Sequence, residues 1–127
     1  MQGSCLCGAV NYKISGKVRS VVACHCTQCR KTSGHYVAAT QVQKINLEVE
    51  GADKISWYQS SETAKRAFCV TCGSQLFWAE LESDDISIMA GSLDGETNLK
   101  MDRQICTDAK GDYYAVPDIE IVDQSTL

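Results

Sequence analysis

Seven of the eight cysteines in this 127-residue chain fall into two sets with metal-ligand spacing. The first set joins Cys5-Leu6-Cys7-Gly8 to Cys69-Val70-Thr71-Cys72-Gly73. Residues two apart in extended backbone point to one face, so Cys5 and Cys7 converge. A Cys-x-x-Cys-Gly turn brings Cys69 and Cys72 together, and the glycine tolerates the backbone conformation that turns N–H groups toward the sulfurs. Four thiolates are what a closed, tetrahedral, structural Zn²⁺ site requires. Such a site clips the N-terminus to the middle of the chain across the 61 residues between Cys7 and Cys69. Closing a loop that long before folding is costly, so the metal would contribute much of the stability. A redox pair at Cys69 and Cys72 is the competing reading, but it lacks the expected βαβ surroundings.

The second set is the run Cys24-His25-Cys26-Thr27-Gln28-Cys29. Cys24 and Cys26 share a face at the end of a strand, and Cys29 returns one turn later. Three thiolates from six consecutive residues hold a zinc on one side and leave a fourth position open, the arrangement of catalytic sites. Cys24, Cys26 and Cys29 are therefore the candidate catalytic group, acting through a labile second Zn²⁺ that need not be fully occupied. His25 lies between two ligands and should point to the opposite strand face as a packing residue. Closure of the triplet by Cys106 or His35, or a thiol cluster without metal, are the duller readings. Lone Cys106 reads first as a small buried hydrophobe. Arg30 and Lys31 follow the triplet and could give an anionic ligand positive charge, with Arg30 the candidate substrate-binding residue; solvated surface charge is the alternative.

Short extended segments must position these residues. Alternation marks Val10 to Ile14, Ile45 to Val49, Ile55 with Trp57, Arg66 with Phe68, Gln75 to Leu81 and Ile86 to Met89; Val18 to Cys26 and Tyr36 to Val42 are further extended candidates. Period-two alternation with frequent turns predicts an antiparallel β domain. Helices are expected only at Thr27 to Ser33 and at Glu96 to Met101. The stretch from Asp108 onward is expected to wrap over the sheet. Trp57, Phe68, Trp78, Tyr113 and Tyr114 are expected in the core, given the area aromatic rings bury.

Composition bounds the rest. Hydrophobic residues make up 44% and charged residues 22%, with one proline and nine glycines, so a single folded domain over residues 1–127 is expected. A formal charge of −4 argues against nucleic acid or an anionic membrane as partner. The N-terminus lacks the basic and apolar regions of a signal peptide, and no run is long enough to span a bilayer. The expected compartment is the reducing cytoplasm, where thiols persist and disulfides do not.

Three motifs, taken together, carry a resemblance. Gly3-Ser-Cys-Leu-Cys-Gly-Ala-Val, Cys24-His-Cys-Thr-Gln-Cys-Arg-Lys-Thr-Ser-Gly and Phe68-Cys-Val-Thr-Cys-Gly-Ser-Gln-Leu resemble, in order, the glutathione-dependent formaldehyde-activating enzyme family, which includes the centromere protein V group. The resemblance implies a mainly β, Mss4-like fold, a β-tent of antiparallel sheets stapled by zinc with few short helices. It implies structural zinc at Cys5, Cys7, Cys69 and Cys72 and catalytic zinc at Cys24, Cys26 and Cys29. It also implies a carbon–sulfur lyase of the S-(hydroxymethyl)glutathione synthase type, condensing the glutathione thiol with formaldehyde or a related aldehyde. The alternative is a non-catalytic zinc module that binds protein or buffers metal and thiols; an oligomer is compatible with either. The chain departs from the family in one place: Gln104 stands where many members carry a histidine, and no tryptophan follows.

Overall fold

The computed structural model describes residues 1–127. In chain order the elements are β1 (Gln2–Ser4), β2 (Asn11–Ile14), β3 (Val21–Cys24), α1 (Thr27–Ser33), β4 (Val37–Gln43), β5 (Leu47–Glu50), β6 (Ile55–Gln59), β7 (Ala64–Cys69), β8 (Gln75–Glu80), β9 (Asp85–Met89), β10 (Met101–Ile105) and β11 (Glu120–Ile121). The protein is mainly β, as its alternating segments require. A three-stranded sheet, β1-β2-β5, lies against an eight-stranded sheet of order β11-β10-β3-β4-β9-β8-β7-β6. No helix is long and apolar enough to cross a membrane.

The core fills the space between the sheets. Val10, Tyr12 and Ile14 come from the small sheet; Val42, Ala67, Phe77, Ala79, Ile86 and Ile88 come from the large one. Tyr12 reaches across it to hydrogen-bond Ser92 at 2.5 Å, and its ring lies directly over Gly3, where a Cβ would collide with it. Cys5 and Cys69 belong to this same buried cluster, which places the first cysteine set at the seam of the two sheets.

Three expectations are corrected. The stretch Glu96 to Met101 is not helical: Asn98 is left-handed at φ 56°, and the chain runs irregularly into strand β10. That strand pairs in parallel with β3, setting Gln104 beside Ala23 and Ile105 beside Cys24, and β11 adds to it in parallel. The pairing partner is about eighty residues upstream, so local propensity could not announce it. The expected aromatic core also differs. Trp57 is 40% and Tyr113 60% exposed, while the buried rings are Tyr12 and Phe77. Trp57 lies on β6, the edge strand of the large sheet, and stacks over Phe77 from outside. Finally, the pairing of β7 with β8 slips between Ala67 and Phe68, so consecutive Leu76 and Phe77 are both buried where strict alternation would separate them.

Candidate metal centres and their cavity

The two loops of the first set are built alike. Gly8 donates to the Cys5 carbonyl at 3.2 Å and Gly73 to the Cys69 carbonyl at 2.8 Å, each glycine left-handed at φ 80° and 76°. These turns fold each cysteine pair back on itself, and the four sulfurs of Cys5, Cys7, Cys69 and Cys72 lie within 4.8 Å of one another. The Cys5–Cys7 and Cys7–Cys69 sulfur separations are 3.6 and 3.8 Å. A tetrahedron of sulfurs about 2.3 Å from a zinc has edges of about 3.8 Å, so the donor set fits that ion. The separations are far too long for disulfides, and all eight cysteines are free. Polar hydrogens point at the sulfurs. The Val10 N–H meets Cys5 Sγ at 3.3 Å, and Leu6 N–H donates to Ser74 Oγ, leaving the Ser74 hydroxyl to donate to Cys72 Sγ at 3.2 Å. That hydroxyl, and then the Ser74 backbone N–H, hold the Cys72 thiol down at about 5.

The second set sits where β3 ends and α1 begins. Cys24 closes the strand, Cys26 is the helix N-cap with its sulfur accepting from Cys29 N–H at 3.3 Å, and Cys29 is buried in the first turn. Gly34 ends the helix in the left-handed region, its N–H returning to the Arg30 carbonyl. The three sulfurs lie within 4.8 Å of one another, and neither Cys106 nor His35 joins the group. The neighbouring Cys24 and Cys29 thiols pull Cys26 down to about 2, while Cys26 and Cys29 push Cys24 up.

His25 faces away from the sulfurs, as strand alternation requires. It is fully buried, with Nε2 3.0 Å from Gln104 Oε1 and Nδ1 2.8 Å from the Tyr114 hydroxyl. Gln104 Nε2 donates to the carbonyls of Pro117 and Ile119, at 2.8 and 3.1 Å, which fixes its oxygen toward the histidine. A neutral His25 consequently carries its proton on Nε2 and accepts from Tyr114, and burial pushes its pKa down. Gln104 thus ties β10 and the C-terminal segment to the strand end that carries Cys24 and Cys26. Gln104→Leu leaves the His25 N–H and the Ile119 carbonyl without partners, while the Pro117 carbonyl keeps the Ile119 N–H; we expect a loss of about 3 kcal/mol, read as a lower urea midpoint at unchanged slope.

The triplet opens onto a cavity of about 570 Å³, within the range of small-molecule sites. Cys24, Cys26, Cys29, Arg66, Trp78 and Cys106 are among the residues lining it. Cys106 reaches it through a left-handed backbone at φ 57°, and burial raises its thiol pKa. Arg30, the arginine expected to serve a ligand, does not line the cavity, and its Nε is buried without a partner. The arginine beside the sulfurs is Arg66 of β7, with Nη2 3.6 Å from Cys29 Sγ. Its signal in the sequence was a charged residue at an inward-facing strand position, between Ala64 and Ala67, just before the Cys69 turn.

Known proteins resemble this chain in sequence and fold. The model of the glutathione-dependent formaldehyde-activating enzyme family matches residues 1–109, which include both cysteine sets, Arg66 and Gln104. An uncharacterised lyase of Schizosaccharomyces pombe is 33% identical over 115 residues, covering 89% of this chain and 82% of that protein. A provisionally named glutathione-dependent formaldehyde-activating enzyme of Halomonas elongata is 34% identical over 94 residues, 64% of this chain and 60% of that protein. A crystal structure of a Rhodobacter sphaeroides protein superimposes with a TM-score of 0.63 at 27% identity, covering 77% of this chain and 92% of the other. Match length and relatives agree: the chain belongs to the glutathione-dependent formaldehyde-activating enzyme family.

Proposed function

We propose that this protein is a zinc-dependent carbon–sulfur lyase of the S-(hydroxymethyl)glutathione synthase type, joining the thiol of glutathione to formaldehyde or a related small aldehyde. The observation that carries the reading is a cluster of three sulfurs, not four, facing a cavity large enough for a tripeptide thiol. The closed set, Cys5, Cys7, Cys69 and Cys72, supports a structural metal, and the open set, Cys24, Cys26 and Cys29, a catalytic one.

Zinc held by the open set would supply Lewis acidity, easing loss of a thiol proton or polarising an aldehyde oxygen. In the reaction the sulfur lone pair forms the new carbon–sulfur bond. The carbonyl π pair moves to oxygen, and the proton lost by the thiol ends on that oxygen as the product hydroxyl. The chain's own residues hold the reactants. The walls of the cavity confine thiol and aldehyde together, replacing a bimolecular encounter by a positioned one. Arg66 sets a positive charge against the sulfur cluster, favouring the anionic form of a thiol that enters beside Cys29.

Zinc stoichiometry tests this directly. Elemental analysis before and after dialysis against millimolar glutathione is expected to show two zincs per chain falling to one, the paired set keeping its ion. Two zincs that both persist would overturn the open-site reading and favour a non-catalytic zinc module.

A further inference from the structure

Among the charges of this protein, Arg66 stands out by what it lacks. It is 8% exposed, yet it makes no ion pair; the chain's one salt bridge joins Asp102 to Arg103. A buried guanidinium is costly unless its donors are used. Nε and Nη2 both reach Gln28 Oε1, at 3.3 and 3.2 Å, and Nη2 also approaches Cys29 Sγ. Gln28 in turn donates through Nε2 to the Ser60 carbonyl at 3.0 Å, which keeps its oxygen on the arginine. The guanidinium is thereby held by one edge. Nη1, with two N–H donors, has no protein partner, and the only fully buried side-chain polar atoms without one are Arg30 Nε and Ser60 Oγ. Nη1 is therefore not sealed from solvent, and Arg66 is among the residues that line the cavity. Glu80 lines the same cavity from β8, opposite Ala64 in the register, and still does not pair with Arg66.

Charge arithmetic gives this free edge a purpose. Three thiolates around a divalent ion carry one net negative charge, which repels an incoming anionic thiol. A fixed cation beside Cys29 offsets that charge and offers a planar fork suited to a carboxylate. We propose that Arg66 is the carboxylate-recognition residue of this cavity: its Nη1 edge binds a carboxylate a few bonds from the substrate's sulfur and so selects anionic thiols over neutral ones. The assignment rests on the reading that the thiol enters at Cys24, Cys26 and Cys29.

The test is calorimetric titration of the zinc-loaded protein with glutathione and with its diethyl ester, which keeps the thiol and removes both carboxylate charges. Glutathione is expected to bind about tenfold to a hundredfold tighter than the diester, the range of a hydrogen bond to a charged group. Arg66→Met should weaken both thiols through the lost charge beside Cys29 but glutathione far more, bringing the ratio of the two affinities near one; Arg66→Lys, with charge but no fork, should retain part of the preference. Equal affinities for the two thiols in the wild type would overturn the role of Arg66 alone. Binding of neither would overturn the thiol-site reading and this role with it. Should Arg66→Met fail to fold by circular dichroism, the wild-type comparison still decides.

Discussion

Cys69→Ser is expected to abolish cooperative unfolding, or to lower stability by more than about 5 kcal/mol, because it opens a site whose binding energy is folding energy. Structural zinc in small domains supplies about 10–16 kcal/mol at neutral pH, as much as the whole net stability of an ordinary domain. The site joins a loop of the small sheet to the turn between β7 and β8, and Cys69 is fully buried in the common core. Loss of a metal held there would therefore loosen the two sheets from each other. Burial alone would also make Cys69→Ser harmful, so the informative partner is Cys7→Ser. Cys7 is exposed, and serine there creates no cavity in the core. If metal is the cause, the two variants should be damaged alike, and a strong chelator should bring the wild type to the same state. The measurement is thermal or urea unfolding of the three proteins with and without chelator. A near-normal transition for Cys7→Ser would remove the structural-zinc assignment.

The contrast between the two cysteine sets was visible in the sequence because ligand spacing is a local property. Three of the six positions from Cys24 to Cys29 determine a face and a return, and the helix Thr27–Ser33 follows from the same spacing. Strand β2 was legible because it buries one face and alternates accordingly, whereas β4, β8 and β9, which bury consecutive residues, were legible as short apolar runs bounded by turns. What stayed hidden was set by distant partners. Glu96 to Met101 reads as a short helix, the strand that begins at Met101 goes unannounced until β3 offers it an open edge, and nothing near Gln104 announces that its amide fits between His25 and the Pro117 and Ile119 carbonyls. The bulge at Leu76 breaks the alternation that would have sorted the residues of β8. Arg66 was read as one residue of an alternating strand; only the tertiary approach of β7 to α1 puts it beside Cys29. Position 104 is instructive for function too. A glutamine there donates twice and accepts once, so it can hold the C-terminal segment in a way a histidine, with fewer donors, cannot.

Cys26→Ser should separate metal binding from folding, and the reason lies in the two jobs of Cys26. It is one of three sulfurs in the open set, and it is also the N-cap of α1. Serine is among the best N-cap residues, so its hydroxyl takes over the Cys29 N–H now held by the sulfur at 3.3 Å. The helix therefore survives the substitution. The surrounding apolar cluster, built on Cys29, Val37 and Ala39, is small, and the half-buried Cys26 only packs against its edge, where serine is nearly the same size. A neutral hydroxyl is a poor zinc ligand, and two thiolates hold the ion far more weakly than three, so the variant loses it even without glutathione. The expected protein melts within a few degrees of the wild type, carries one zinc per chain instead of two, and shows no heat of thiol binding. Cys26→Ala loses the cap as well and should cost about 1 kcal/mol more than the serine variant, at the same zinc content. Elemental analysis and melting curves on both variants check each part. Collapse of Cys26→Ser to the state expected for Cys69→Ser would show that both sets are structural, and the division between a closed and an open site would fall.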